Sequence, residues 1–192
     1  MPRIQPLASL LFLIAFALPA AAQPLFRVIP SNVATPEGGQ ENVLLIQAGD
    51  ENFSVRIPKG YGTQVRPESC SIVFTAENGA STITVQVTTN YPGALPKMED
   101  LRDIAAKKHP GASLVQSSTC ISDYGMGLCF DLFQPGPSGL MLRMRDAYFS
   151  YPEGSFEFLF SCNGADYDKS RLSFAWLLNS FRSRPGPVKK EP

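Results

Sequence analysis

The side chains with the most chemistry to offer are four cysteines, Cys70, Cys120, Cys129 and Cys162, and a single histidine, His109. A thiolate is a nucleophile and a soft metal ligand, and two thiols together form a disulfide. The chain contains no Cys-x-x-Cys, so spacing gives no support to a thioredoxin-like redox role. Four cysteines allow three connectivities. Cys120 and Cys129 bracket residues 121–128, and a chain reversal around Tyr124-Gly125 would set them opposite each other on a hairpin. That pairing leaves Cys70 with Cys162, and two structural disulfides are the expectation.

One histidine rules out a multi-histidine metal site within a single chain. His109 follows Lys107-Lys108 and precedes Pro110, which reads as a solvated cap at a helix end, where a basic group suits the dipole. No nucleophile or orienting carboxylate is visible in sequence beside it. Gly60-Tyr61-Gly62 and Gly125-Met126-Gly127 lack the strand-to-helix context of a phosphate loop and read as turns. Glu99, Asp100 and Asp103 read as a solvated acidic face, and Asp166-Tyr167-Asp168 falls short of a calcium loop and suits helix capping. No catalytic residue, metal ligand or cofactor is therefore assigned.

These groups sit on a legible order of elements. Val43-Leu44-Leu45-Ile46 is the one apolar stretch in a Pro- and Gly-containing lead-in. Phe53, Val55 and Ile57 alternate with polar residues as a half-buried strand, and residues 61–66 extend a second one. Strands beginning at Ile72 and ending near Val87 flank Asn78-Gly79, a type I′ hairpin signal. From Pro96 to His109 the period becomes helical, with Met98, Leu101, Ile104 and Ala105 on one side. Residues 112–122 and 124–134 form the cysteine hairpin. Residues 140–151 form another strand, and Phe156, Phe158, Phe160 and Cys162 mark the clearest strand of all. Leu172, Ala175, Leu178 and Phe181, joined by Phe174 and Leu177, recur at helical spacing behind an Asp166 or Asp168 cap.

Arg3 followed by the apolar run Leu7 to Ala22, broken by Pro19 and closed by small residues, reads as a signal peptide over residues 1–22. The run is too short to span a bilayer well, so no stable membrane span is expected after cleavage. Residues 23–42 then form an extended lead-in and residues 43–182 a single domain. Residues 183–192 are read as a flexible basic tail containing Pro185, Pro187 and Pro192. With 17 basic and 17 acidic side chains, the chain lacks the basic footprint of a nucleic-acid binder. At 44% hydrophobic and 18% charged residues it can bury a core.

The layout resembles the Mog1/PsbP-like family, on Phe53-Ser-Val-Arg-Ile-Pro58, on Gly154-Ser-Phe-Glu-Phe-Leu-Phe160 and on the helix ending Leu177-Leu178-Asn179-Ser180-Phe181. That resemblance implies an α+β fold, an α-β-α sandwich around an antiparallel sheet, in a small exported bacterial protein. It implies an accessory or partner-binding role in the periplasm or outside the cell, with another envelope or extracellular protein as partner. The Cys120/Cys129 hairpin has no place in the family pattern. A candidate interaction surface is read from Met126, Met141, Arg143, Arg145, Tyr148, Phe149 and Tyr151, residue types enriched at protein interfaces. An immunity or antagonist protein and a small secreted hydrolase are the alternative roles.

Overall fold

Alternation of apolar and polar residues dominates the chain from Phe26 onward, and it closes into two antiparallel sheets. The computed structural model describes residues 26–34, 38–89, 97–136 and 139–185. The expected signal peptide, Pro96 and the last seven residues lie outside these, as do the side chains of Met98 and Leu101.

The first sheet has four strands, β1 (Phe26–Ala34), β2 (Gln40–Ala48), β3 (Glu51–Arg56) and β11 (Arg182–Arg184), in the order β1-β2-β3-β11. The second has seven: β4 (Tyr61–Arg66), β5 (Ser71–Ala76), β6 (Ser81–Thr89), β7 (Ser113–Ser122), β8 (Gly125–Pro135), β9 (Met141–Tyr151) and β10 (Gly154–Asn163). Their order is β4-β5-β6-β10-β9-β8-β7, which leaves β4 and β7 at its edges. Helix α1 (Leu101–Lys108) precedes β7, and α2 (Tyr167–Asn179) follows β10.

Each face of the large sheet is covered differently. Val85, Phe158, Phe156, Phe160, Phe149 and Cys129 point toward the four-stranded sheet and α2, and pack with Leu44, Ile46, Phe53, Val55, Phe174, Leu177 and Phe181 in the main core. Phe181 is its hub. Its ring lies 4.8 to 5.6 Å from those of Phe53, Phe149, Phe156 and Phe158. Among the described residues the opposite face is covered by α1, through a smaller cluster of Ala105, Phe130, Leu132, Met144 and Tyr148, flanked by Ile104 and Leu128.

Several expectations need correcting. The lead-in is not a preface: residues 26–34 pair along their whole length with β2, so the fold begins well before residue 43. The tail starts later than expected, because Arg182, Ser183 and Arg184 pair with Ser54, Phe53 and Asn52. The hairpin between β5 and β6 is present, but Asn78 does not enter the left-handed region. Only Gly79 does, at φ 69°, with its N–H donating to Ala76 O at 2.8 Å. On α2 the buried residues are Tyr167, Phe174, Leu177 and Leu178. Leu172 and Ala175, expected on the packed side, face outward. Neither aspartate caps α2 with its side chain; instead Asn163 Oδ1 accepts from Ala165 N–H at 3.4 Å, one turn earlier.

The cysteine hairpin is shifted by one residue. Ser122 pairs with Gly125 across an Asp123-Tyr124 turn, because Ser122 Oγ accepts from the N–H groups of Tyr124 (3.2 Å) and Gly125 (3.3 Å). Cys120 therefore stands opposite Gly127, and Cys129 opposite Ser118. The two cysteines are diagonal neighbours on one face rather than a direct pair. The Cys70–Cys162 bond is excluded by register. Cys70 O accepts from Val87 N–H, Val87 pairs with Phe156, and Cys162 lies six residues further along β10. That is roughly 20 Å at the rise of an extended strand, whereas disulfide Cα atoms stand about 6 Å apart. All four cysteines are free thiols in this structure.

Candidate functional site

Strand β7 runs for ten residues, Ser-Leu-Val-Gln-Ser-Ser-Thr-Cys-Ile-Ser, without one charged residue or proline. Such residues are the usual means of blunting an exposed edge. Among the described residues no strand pairs with its outer side. The other edge, β4, ends in Arg66.

Where α2 crosses above β7, the two elements leave a groove of about 420 Å³, lined by Thr119, Cys120, Ile121, Arg145, Arg171, Leu172, Phe174, Ala175, Leu178 and Asn179. Its walls carry apolar side chains left in solvent: Ile121 is 68% exposed and Leu172 66%. The hairpin tip is held to the end of α2, with Asp123 N–H donating to Asn179 O (3.2 Å) and Tyr124 N–H to Phe181 O (2.7 Å). This fixes the angle between the groove walls.

The groove has a polar floor. Arg145, half-exposed on β9, lies 3.8 Å from Asp131 Oδ1, and its Nη2 donates to Cys129 Sγ at 3.2 Å. Tyr167 OH donates to the same Asp131 oxygen at 3.2 Å, and the Arg143 guanidinium stacks 3.7 Å above the Tyr167 ring. Ser118 Oγ is 3.1 Å from Cys129 Sγ. The neighbouring Cys120 thiol draws Cys129 down to about 6, with Ser118 and Arg145 assisting against the effect of burial. The proximity of Cys129, together with burial, pushes the Cys120 thiol up. Gly127, opposite Cys120, lets β8 lie close against β9: a Cβ there would lie 2.3 Å from Tyr148 O and 2.8 Å from the Phe149 ring. Chemically the groove offers apolar walls, arginine and the Cys120 thiol, with Cys129 buried behind it.

A second polar cluster lies on the α1 face. Asp146, fully buried, accepts from Tyr148 OH at 2.9 Å, and His109 Nε2 stands 3.7 Å from the same oxygen. Lys108 donates to Tyr148 OH at 2.7 Å and pairs with Glu157. Burial raises the Asp146 carboxyl to about 7, with the neighbouring His109 pulling the other way. Burial likewise pushes the Tyr148 hydroxyl up, helped by the Asp146 charge. His109 is thus no solvated cap; its side chain is 12% exposed and turned toward a carboxylate from β9, a partner far from it along the chain. The shallow cleft above, about 270 Å³, is lined by Thr84, Gln86, Lys108, His109, Glu157 and Leu159, with Asp146 sealed beneath. The arrangement fastens α1 to the sheet.

The surface read from sequence does not assemble. Tyr148, Phe149 and Tyr151 are buried, because both faces of β9 are covered. Met126 and Met141 are exposed, but near opposite ends of β8 and β9. Arg143 packs on Tyr167 and Phe133, and only Arg145 reaches the groove. Sequence reasoning missed Ile121, Leu172 and the open edge of β7; the uncharged run 113–122 was the available signal. Among the described residues no cluster of three or more His, Cys, Asp or Glu side chains could hold a metal ion. No helix of the described residues is long and apolar enough to cross a membrane.

No protein-family model matches the chain, and no curated protein matches it. Solved structures do. It is similar to LpqN, involved in cell envelope biogenesis of Mycobacterium tuberculosis, with a TM-score of 0.52 at 10% identity over 83% of this chain and 92% of that one. The Ran-binding protein Mog1p of Saccharomyces cerevisiae gives 0.48 at 9% identity over 81% and 96% of the two chains. Cyanobacterial PsbP from Synechocystis gives 0.46 at 10% identity over 81% and 92%. At such identities the likeness is one of architecture: the chain has an α+β fold, and it shares that architecture with LpqN.

Proposed function

We propose that this is an exported, non-catalytic binding or accessory protein of the bacterial envelope. Its site takes an extended segment of a partner protein along the outer side of β7. The observation that carries this reading is the ten-residue edge without charge or proline, set beside a groove with apolar walls. Strand addition supplies main-chain hydrogen bonds at such an edge, and alternate side chains of the guest enter the neighbouring groove. Ile121, Leu172 and Ala175 suit apolar guest side chains, and Arg145 with Arg171 suits an acidic one.

The apolar leader over residues 1–22 supports export, and the fold likeness to a protein of cell envelope biogenesis supports the compartment. The test is capture of partners from envelope extract by the chain and by a Ser117→Lys/Thr119→Lys variant. Both positions are exposed on β7, and lysine on an edge discourages strand pairing. Loss of a saturable partner in the variant, with folding unchanged, is expected. Equal capture by both proteins would overturn the reading.

A further inference from the structure

Cys120 and Cys129 differ in ways that matter for sulfur chemistry. Cys120 forms part of the groove wall and is 8% exposed, whereas Cys129 is fully buried behind it. Only Cys129 touches Ser118 Oγ (3.1 Å) and Arg145 Nη2 (3.2 Å), a hydroxyl and a guanidinium suited to a thiolate. We propose that the pair is a thiol–disulfide exchange site opening into the groove, with Cys120 as the attacked sulfur and Cys129 as the leaving thiolate. This stands independently of strand addition at β7.

The structure holds both cysteines as thiols, so a reactant disulfide supplies the oxidised state. The Cys120 thiolate attacks it and expels one reactant thiolate, and Cys129 then closes the Cys120–Cys129 bond and expels the second. An incoming thiolate, from a small thiol or a protein dithiol, attacks Cys120 Sγ of the Cys120–Cys129 disulfide. A new S–S bond joins the reactant to Cys120, the Cys120–Cys129 bond breaks, and its electron pair leaves on Cys129 Sγ. In the reverse direction the Cys129 thiolate attacks the mixed disulfide at Cys120 and expels the reactant's thiolate. Exchange is fastest when the leaving thiol is acidic and the attacked sulfur accessible. The structure places Cys120 at the groove wall and gives the hydroxyl and guanidinium contacts to Cys129, which is the productive order. Once Cys120 carries the adduct, Ser118 and Arg145 still stand against Cys129 Sγ. The diagonal register also matters, because diagonal strand neighbours stand about 7–8 Å apart, just beyond the roughly 7 Å a disulfide spans, so closing the bond draws the two strands together. An inert staple is better served by a direct pair.

The chain is equilibrated in glutathione buffers of varied ratio at neutral pH and quenched with acid. Free thiols are alkylated, and products are located by peptide mass spectrometry. The pair is expected to convert between dithiol and disulfide across the accessible range, with the acid-trapped adduct on Cys120. Cys129→Ser is expected to accumulate glutathione on Cys120, and Cys120→Ser to leave Cys129 at least tenfold slower to react. Arg145→Gln is expected to move the equilibrium at least tenfold toward the disulfide, with Arg145→Lys restoring part of the shift. A bond that resists excess reduced glutathione in the wild-type chain overturns the proposal, as does an adduct on Cys129. The same holds for an equilibrium indifferent to Arg145 in a variant whose circular dichroism is native.

Discussion

Arg145 and Asp146 are adjacent on β9, and the pleat sends them to opposite faces of the same sheet. Arg145 enters a groove between an edge strand and a thirteen-residue helix, where it meets a thiol, a carboxylate and solvent. Asp146 is sealed under an eight-residue helix, with one phenol and one imidazole for company. A charge that keeps some water is available for recognition. A carboxyl without water is driven toward its neutral form, and its neighbours are arranged to tolerate it. The titratable cluster that looks most like an active site is therefore the one fastening a helix, and the less conspicuous arginine marks the open site.

The largest effect expected belongs to the core that both sheets share. Phe181→Ala removes a fully buried ring at the junction of α2 and β11 and is expected to lower unfolding free energy by about 3–5 kcal/mol in urea titration. A loss below about 1 kcal/mol would mean that the sheets do not meet around this ring.

Next in size is the pH dependence set by Asp146. Its folded carboxyl is raised to about 7, above the ordinary carboxylate range of the unfolded chain, so the folded state holds the extra proton between those values. Stability from this group is complete at pH below about 4 and declines as pH rises to 7, by up to about 4 kcal/mol. Thermal unfolding from pH 4 to 8 should show that slope in the wild-type chain, and Asp146→Asn should flatten it. An unchanged slope would place the buried charge elsewhere.

A smaller contrast separates the two sides of α2. Leu178→Ala, inside the core, is expected to cost about 2–5 kcal/mol. Leu172→Ser, on the groove wall, should stay within about 0.5 kcal/mol of wild type while weakening partner capture. Equal losses of stability would return Leu172 to the core, where helical spacing alone had put it.

What could be read from sequence follows from how each element is covered. The Phe156–Phe158–Phe160 alternation and the one-faced α1 are local patterns, visible because one neighbour decides each side. Strand β9 defeats the same logic, since a sheet covered on both faces has no outward parity; Arg143 and Arg145 turn toward α2 while Met144 and Tyr148 turn toward α1. The second sheet was hidden for another reason. It joins β1 to β2 early in the chain and closes with β11, two of whose three residues belong to an apparent tail, a pairing of Ser54 with Arg182 across the whole fold. The cysteine register turned on Ser122, whose hydroxyl moves the hairpin turn by one residue and converts an opposite pair into a diagonal one. The groove itself arises from elements distant in sequence, so only its uncharged edge was open to inspection beforehand.

The two edges of the large sheet give the most direct measurement of the binding account. A photo-crosslinking side chain is placed at Thr119 on β7 or at Thr63 on β4, both exposed, and each protein is irradiated in envelope extract. The account predicts a discrete adduct from position 119, suppressed by excess unlabelled chain, and no such adduct from position 63. Equal adducts at both edges, or none at position 119 from a folded protein, would contradict it.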